Sequence, residues 1–257
     1  MTEPRSQNNP SSLLNRLYVW LSEPLAIVIL MFCTTTAIAQ PFYIPTGSME
    51  PTLQIGDALI GSKFAYGYSR YSMPLALGPK SETRLLGRLP NRGDVVVFRL
   101  PRDPKVVYVK RVVGLPGDRL RMVHGHLVIN GSVLSLTPAG TGSDEAGNGD
   151  GVTSAKFTET LPGGVRHPIF KWSWDGPLDN TQTFVVPRGH LFMMGDNRDN
   201  SLDSRVAAAD GGVGYVPVEN LMARADLVLG SYDFLNMRGV RSWPGLVRLS
   251  RFFHSVT

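Results

Sequence analysis

The sequence has almost no cysteine, and this shortage excludes two kinds of structure. Cys33 is the only cysteine in the chain, so no disulfide can form within it. No Cys/His cluster has the spacing of a zinc site either, so we expect neither a metal nor a cofactor. A lone histidine is a weak functional signal, and we expect the five to be ordinary loop or surface residues: His124, His126, His167, His190 and His254.

The chain also lacks a concentrated basic region, although its formal net charge is +5. Basic residues are spread singly, and no basic helix or aromatic-studded basic sheet is visible, so nucleic acid is not an expected partner. Strong helical periodicities are scarce after residue 60, whereas 27 glycines and 19 prolines favour turns. Because 42% of the residues are apolar, the chain can build a core. The many turn residues and the few helical patterns together predict a β-rich or mixed fold.

One segment near the amino terminus lacks charge altogether. Residues 25–39 (LAIVILMFCTTTAIA) are uncharged, and the longer span 17–39 is sufficient to cross a bilayer. Arg5 and Arg16 precede it and the first basic residue after it is Lys63, so the positive-inside rule places the amino terminus in the cytoplasm. We therefore predict a single-pass anchor in the inner membrane, with membrane lipid as a partner.

The same segment has a second interpretation. Ala37-Ile38-Ala39 follows a short apolar run, as the cleavage site of a signal peptide does. We favour a retained anchor, because it would hold the serine motif that starts at Ile44 at the membrane surface. Whether the Ala39-Gln40 bond is cut by the protein itself stays open.

Beyond the anchor, β-branched runs bounded by glycine and proline predict strands. The clearest are 94–99 (DVVVFR) and 106–113 (VVYVKRVV), and an Asn130-Gly131 turn predicts a hairpin within 127–136. Weaker patterns predict four further strands: 54–62, 183–187, 191–194 and 227–232. Two polar stretches have the composition of loops, the second an insertion in which we expect no chemistry: 66–91 and 137–168.

Ser48 lies in the stretch Ile44-Pro-Thr-Gly-Ser-Met-Glu-Pro-Thr-Leu53, between a glycine and a large apolar residue. Prolines on both sides restrict the backbone, so this turn can hold the serine rigid and exposed. Taken alone, such a pattern is more often an ordinary turn than a nucleophile, because glycine and serine are common turn residues.

A serine nucleophile needs a base, and Lys110 is the candidate because no histidine stands in a partner motif. Ser-Lys pairs are an established variant of the catalytic triad, provided that the amine is neutral. Strand alternation places Lys110 on the same face as Tyr108 and Val112, where burial would lower the pKa of its amine. The alternative is an exposed lysine on an edge strand, where it deters aggregation.

Four segments resemble, in order, the sequence boxes of the bacterial type I signal peptidases, which are Ser-Lys serine proteases. They are IPTGSMEPTL from Ile44, RGDVVVF from Arg92, YVKRVVGLPGDRL from Tyr108 and GDNRDNSLDSR from Gly195. The resemblance implies a membrane-bound serine endopeptidase that removes signal peptides from exported preproteins. The implied fold is mainly β: one N-terminal transmembrane helix, then an antiparallel β catalytic core with an inserted β-hairpin and loop subdomain.

The domain organisation that follows has five parts. It comprises a cytoplasmic tail (1–16), the transmembrane anchor (17–39), the first part of the catalytic core (40–122), the inserted subdomain (123–188), and the second part of the core with the carboxy-terminal tail (189–257). The catalytic domain would lie on the periplasmic or extracytoplasmic side, and we expect a monomer.

Carried over residue by residue, the resemblance implies a role for each matching position. Ser48 is the acylating nucleophile and Lys110 the general base, and Ser201 would hydrogen-bond the amine and orient it. The oxyanion hole would combine the Ser48 N–H with the hydroxyl of Thr46, where much of the family has serine and threonine is stiffer. Arg205 would brace the active-site loop with either of two aspartates: Asp196 and Asp203.

Specificity follows from the same resemblance. The family cuts after small-x-small motifs, typically Ala-x-Ala, because shallow apolar pockets reject larger side chains. The matching positions here are Phe42, Ile44, Pro45, Met49, Leu53, Tyr108 and Val109. Such residues are also ordinary constituents of a core. The stretch 206–215 is longer than the aromatic turn usual in the family, which leaves the shape of that loop open.

Two other functions remain under consideration. The first is a related Ser-Lys protease with a narrow substrate, such as a conjugative pilus processing peptidase or a self-cleaving repressor-type enzyme. The four boxes and the anchor disfavour the repressor type, whereas the pilus type is harder to separate. The second is a catalytically inert, membrane-tethered β domain that acts as a binding module, which requires Ser48 and Lys110 to have no role.

Overall fold

A computed structural model describes residues 10–73, 84–144, 152–233 and 246–256. One helix, α1 (Pro10–Ala37), precedes the strands. The strands are β1 (Ala39–Tyr43), β2 (Asp57–Ser62), β3 (Val95–Leu100), β4 (Asp103–Gly114), β5 (Arg119–Val123), β6 (His126–Ile129), β7 (Ser132–Val133), β8 (Ser135–Asp144), β9 (Val152–Thr160), β10 (Arg166–Lys171), β11 (Phe184–Val185), β12 (His190–Met194), β13 (Val216–Pro217), β14 (Leu221–Ser231) and β15 (His254–Ser255). The fold is mainly antiparallel β, as predicted.

Helix α1 has 28 residues with Pro24 inside it, and it begins before the predicted span 17–39. Among the residues that the structure describes, no helix combines the length and hydropathy needed to cross a bilayer. The predicted transmembrane anchor therefore stays a prediction. Part of the carboxy-terminal tail, residues 234–245, lies outside the described residues.

The largest sheet has the strand order β1-β2-β14-β3-β4-β12-β13, and β15 pairs with β14. All of its pairings are antiparallel. Apolar clusters cover both faces of the β3–β4 pair, which is why both strands were visible as continuous β-branched runs. In this pairing Lys110 lies opposite Val96, and Arg111 lies opposite Val95. The two basic residues therefore face opposite sides of the sheet.

A smaller sheet, in the order β11-β5-β6-β7, contains the predicted hairpin. Strands β6 and β7 pair through Ile129 and Ser132. Asn130 and Gly131 between them both have positive φ values, 52° and 85°. Asparagine and glycine adopt this conformation at little cost, so the hairpin prediction is confirmed.

The loop prediction for 137–168 is wrong, because this region forms a third sheet, in the order β10-β9-β8. Its strands escaped detection because several of the inward positions are polar. Asp144, Ser154, Glu159 and His167 are each at most 1% exposed. An alternation of apolar and polar residues, the usual signature of a strand, is therefore absent from the sequence. We call β8–β10 the inserted sheet.

Candidate active site

Ser48 lies in a short 3-10 turn, Gly47–Met49, that follows β1. The Glu50 N–H closes this turn by donating to the Gly47 carbonyl. Lys110 reaches the turn from β4, and its Nζ donates to the Ser48 Oγ across 2.5 Å. The two predicted residues are thus within the distance that proton transfer from a nucleophile to a base requires.

The Lys110 amine sits in an apolar setting. The residue is 3% exposed, and its Nζ lies 5.4 Å from the ring centre of Tyr108. Burial lowers the pKa of Lys110 to about 8, although the charges of Asp203 and Asp196 oppose this effect. In the described part of the chain, Lys110 forms no ion pair with a carboxylate. A substantial fraction of the amine is therefore neutral at mildly alkaline pH.

Ser201 does not make the predicted hydrogen bond to Lys110. Its Oγ is buried and has no hydrogen-bond partner within the described residues. The hydroxyl lies close to the turn that carries Ser48, because a Cβ built on Gly195 would be 2.2 Å from Ser201 Oγ and 2.4 Å from the Ser48 carbonyl oxygen. Glycine at 195 allows this close approach, which places Ser201 beside the turn that carries Ser48, without a hydrogen bond to the Lys110 amine.

Thr46 precedes the turn and is exposed at its edge. Its backbone is extended, with φ −136° and ψ 150°, and its side chain forms no capping hydrogen bond to the turn among the described residues. The hydroxyl is thus available to a substrate. Its contribution to an oxyanion hole stays a prediction.

The three residues of the fourth box that were predicted to support the loop, Asp196, Asp203 and Arg205, do not act as a single group. Arg205 pairs with Asp203 through two hydrogen bonds, Nε to Oδ1 at 2.9 Å and Nη2 to Oδ2 at 2.8 Å. Asp203 also accepts from the Gly195 N–H, so this pair fixes the start of the loop. Asp196 pairs with Arg111 instead, Nε to Oδ1 at 2.8 Å and Nη2 to Oδ2 at 2.7 Å. Of the two partners considered for Arg205, only Asp203 makes this bidentate contact.

The atypical stretch 206–215 forms a compact turn. The Val206 and Val213 N–H groups both donate to the Asp203 carbonyl, and the Gly214 N–H donates to the Val206 carbonyl. A Cβ on Gly212 would lie 2.2 Å from the Val206 carbonyl oxygen. The glycine-rich composition therefore allows the longer loop to fold back on itself next to the Asp203–Arg205 pair.

A cleft of about 1040 Å³ opens beside Ser48 and Lys110. Six of the seven predicted pocket residues line it: Phe42, Ile44, Pro45, Met49, Tyr108 and Val109. The prediction for Leu53 is wrong, because this side chain is completely buried in a core cluster below the turn. Sequence reasoning missed several other lining residues, among them Val106, Val107, Asn200 and Leu202.

His167 corrects the prediction that every histidine is a loop or surface residue. It lies on β10, is 1% exposed, and its Nε2 is 3.4 Å from Glu159 Oε2 and 3.9 Å from Asp196 Oδ1. Burial lowers the pKa of His167 to about 4, against the effect of the Asp196 charge. The ring is therefore neutral at physiological pH, beneath the loop that carries the fourth box.

Sequence reasoning also missed Arg111, Glu159, Asn197 and Arg198. Arg111 follows Lys110 in a buried strand, and alternation alone could have shown that it would face a second buried environment. The pairing of Arg198 with Glu159 joins residues 39 positions apart, for which the sequence carries no local signal. Within the described ranges, no group of three His, Cys, Asp or Glu side chains is arranged to hold a metal ion.

Comparison with known proteins places this geometry in a family. A family model described as signal peptidase, peptidase S26, matches residues 17–230. A signal peptidase I of Rickettsia akari (strain Hartford) is 39% identical over 236 residues, covering 85% of each chain. A signal peptidase I of Rickettsia conorii (strain ATCC VR-613 / Malish 7) is 38% identical over 236 residues, with the same coverage.

Among solved structures, a signal peptidase I from Enterococcus faecalis V583 is 26% identical. It covers 53% of this chain and 97% of that chain, with a TM-score of 0.32, which is too low to carry an argument about the fold. The family model and the Rickettsia relatives suffice, because each extends over most of the chain. This chain belongs to the type I signal peptidases, the family of peptidase S26, and is a serine endopeptidase.

Proposed function

We propose that this signal peptidase is a membrane-bound enzyme that cleaves exported preproteins after small-x-small sites through a Ser48 acyl-enzyme, with Lys110 as the general base. The observation that carries the proposal is the 2.5 Å contact between Lys110 Nζ and Ser48 Oγ. A buried amine with a pKa of about 8 is neutral often enough to act as a base, whereas an ordinary lysine is not.

The chemistry runs in two steps that balance in protons. Neutral Lys110 takes the proton of the Ser48 hydroxyl as Oγ attacks the scissile carbonyl carbon. The resulting ammonium returns this proton to the leaving amine when the peptide bond breaks, which leaves the signal peptide esterified to Ser48. Lys110 then takes a proton from water, the hydroxide attacks the ester, and the proton goes back to Ser48.

The oxyanion of each tetrahedral intermediate would be bound by the Ser48 N–H and the Thr46 hydroxyl. Two features support this assignment. The described backbone hydrogen bonds leave the Ser48 N–H without an acceptor, and Thr46 is exposed at the cleft. Both donors are held by the same short turn, so little reorganisation is needed as charge develops.

Two free strand edges support the binding of an extended substrate. In the described part of the chain, β1 pairs with β2 alone, so its other edge is open. Strand β4 pairs with β12 only from Arg111 onwards, which leaves its edge free at Tyr108 and Val109. Both edges border the cleft, and a substrate strand can add its main-chain hydrogen bonds there. Apolar walls next to Ser48 favour small apolar side chains such as alanine.

A membrane location is part of this proposal, and it rests on the predicted anchor. If α1 is retained as an anchor with its amino terminus in the cytoplasm, the catalytic sheet lies outside and begins at Ala39 directly after the helix. An extended chain advances by about 3.3 Å per residue, so Ser48 stays within about 36 Å of Ala37 at the end of α1. A signal peptide that leaves the bilayer presents its cleavage site at a comparable depth. A monomer is sufficient for this arrangement.

Cleavage of a detergent-solubilised preprotein with an Ala-x-Ala site tests the proposal. We expect Ser48→Ala to abolish cleavage and the control Ser132→Ala, at an exposed hairpin position, to leave it unchanged. Mass spectrometry of the mature product should place the cut after the second alanine, and leucine at either small position should block it. Cleavage by Ser48→Ala at the wild-type rate would contradict the mechanism. Complementation of a strain depleted of its housekeeping signal peptidase distinguishes a general from a narrow substrate range.

A further inference from the structure

The inserted sheet contacts the active-site loop through a buried ion pair. Arg198, in the loop, donates from Nη1 to Oε1 of Glu159 in β9 at 2.8 Å, and from Nη2 to Oε2. Both side chains are at most 1% exposed. Burial raises the pKa of Glu159, but the charge of Arg198 outweighs it and holds this pKa below its usual range. The pair is therefore ionised and joins the two regions.

A second contact runs through the backbone. The Phe170 N–H of β10 donates to the Asp196 carbonyl at 2.9 Å, and the Arg198 N–H donates to the Phe170 carbonyl at 3.0 Å. Residues 196–198 thus pair with the edge of the inserted sheet as a short parallel strand does. The conformation of this tripeptide depends on β10 as well as on the Glu159–Arg198 pair.

Asn197, the middle residue of this tripeptide, reaches the turn of the nucleophile. Its N–H donates to the Ser48 carbonyl and its Nδ2 to the Gly47 carbonyl, both at 3.3 Å. Asn197 is completely buried, so these contacts are shielded from competing water. A continuous set of contacts therefore leads from the inserted sheet through 196–198 to Ser48.

We propose that Glu159, Arg198 and Asn197 are positioning residues, through which the inserted sheet holds the Ser48 hydroxyl against Lys110. The inference rests on the proposed role of Ser48 as nucleophile. It assigns a role in catalysis to the inserted sheet, although none of the residues in its three strands lines the cleft. A displacement of reacting atoms by about 1 Å can slow an enzyme by about a hundredfold, so a modest shift of this turn has a measurable effect.

The first test compares Glu159→Gln and Asn197→Ala with the wild type on the Ala-x-Ala preprotein. We expect kcat per active site to fall by about tenfold or more with KM unchanged, because neither residue lines the cleft. Active sites are counted with a covalent serine-directed inhibitor, so that unfolded protein does not enter the rate. Ser154→Ala is the matched control: this residue is buried in the same strand as Glu159 but bonds Asp144 within the inserted sheet.

A double variant separates positioning from stability. Removing one partner of a buried ion pair leaves an uncompensated charge, whereas replacing both with apolar side chains is often neutral. We expect Glu159→Met/Arg198→Met to recover the melting temperature lost in Glu159→Gln and to keep the low kcat. Recovery of kcat together with the melting temperature would mean that the pair acts only through stability, and would overturn the proposal.

The outcomes also distinguish this proposal from the proposed function. Cleavage that depends on Ser48 but proceeds at the wild-type kcat in both Glu159→Gln and Asn197→Ala overturns the positioning role alone. Cleavage by Ser48→Ala at the wild-type rate overturns the mechanism, and the positioning role with it.

Discussion

Two adjacent residues of β4, Lys110 and Arg111, are both basic and buried, but they differ in the groups that surround them. Lys110 faces Ser48 and Tyr108 and forms no ion pair among the described residues, and burial lowers its pKa to about 8. Arg111 faces the other side, where Asp196 binds it through two hydrogen bonds and the Gly93 carbonyl through a third.

The difference shows that the effect of burial on a cation depends on the chemistry of the side chain and on whether a carboxylate binds it. Arg111 is a buried guanidinium, and a buried charge of this kind needs a partner, which Asp196 supplies. Lys110 can respond to burial by losing its proton, and the absence of a bound carboxylate lets it do so. The same pattern continues around the site, where Arg205 and Arg198 are paired with Asp203 and Glu159.

The largest expected effect comes from replacing Lys110, the candidate base. Lys110→Met keeps the length and apolar stem of the side chain but removes the base, so we expect the rate of preprotein cleavage to fall by about 10³-fold or more. Lys105→Met, an exposed lysine in the same strand, serves as control and should retain activity. A Lys110→Met enzyme within tenfold of the wild type would refute the assigned base.

The next largest effect is expected from removing Asp196, the carboxylate that pairs with Arg111. Asp196→Asn removes the carboxylate that forms the buried ion pair with Arg111, and we expect the free energy of unfolding to fall by about 3–5 kcal/mol. Urea denaturation measures this. The control is Asp226→Asn, whose partner Arg224 is partly exposed, and here we expect a loss of about 1 kcal/mol or less. Equal losses in the two variants would show that the Arg111 pair is no more important than a surface pair.

A third variant gives Lys110 the partner that Arg111 has. Tyr108→Glu would place a carboxylate near the amine, since the Tyr108 ring centre is 5.4 Å from Nζ. We expect the pKa of Lys110 to rise by about one unit or more, and the cleavage rate at pH 8 to fall by about fivefold or more. Tyr108→Gln controls for the loss of the ring. A pH–rate profile identical in the two variants would contradict the role of the missing counter-ion.

The smallest expected effect concerns His167, which lies close to Asp196, the partner of Arg111. Its folded pKa of about 4 is below the ordinary value of 6.5, so the unfolded chain binds a proton that the folded one does not. Stability should therefore fall as the pH drops from about 6.5 towards 4, by about 1 kcal/mol at pH 5.5. Urea denaturation of His167→Gln should show a smaller loss than the wild type in this window, whereas the exposed His254→Gln should match the wild type. If the free energy of unfolding of His167→Gln fell with pH as steeply as that of the wild type, His167 would not be the cause of the loss.

Local patterns were sufficient to predict part of this molecule. The run that became β3 and the second half of β4 are buried on both faces, so their composition shows them as strands. Asn130-Gly131 sets the hairpin by its own conformational preference. The resemblance of the four sequence boxes predicted that Ser48 and Lys110 belong to one site, and the two side chains are in contact in the structure.

What the sequence could not show depends on contacts between distant segments. Glu159 and His167 look like surface residues until Arg198 and Asp196 are brought against them. Leu53 belongs to the core and not to the cleft, a distinction that no apolar residue reveals by its type. The inward positions of the inserted sheet are polar, so its strands lack the alternation by which strands are recognised.

The central claim is that the buried Lys110 acts as a base, and the pH dependence of kcat/KM for the wild-type enzyme tests it most directly. This quantity reports the titration of the free enzyme. The account predicts a rate that rises with pH along a limb centred near the Lys110 pKa of about 8. A rate that stays flat between about pH 6 and pH 10 would contradict it, because then no group with the pKa of Lys110 would have to lose a proton for catalysis.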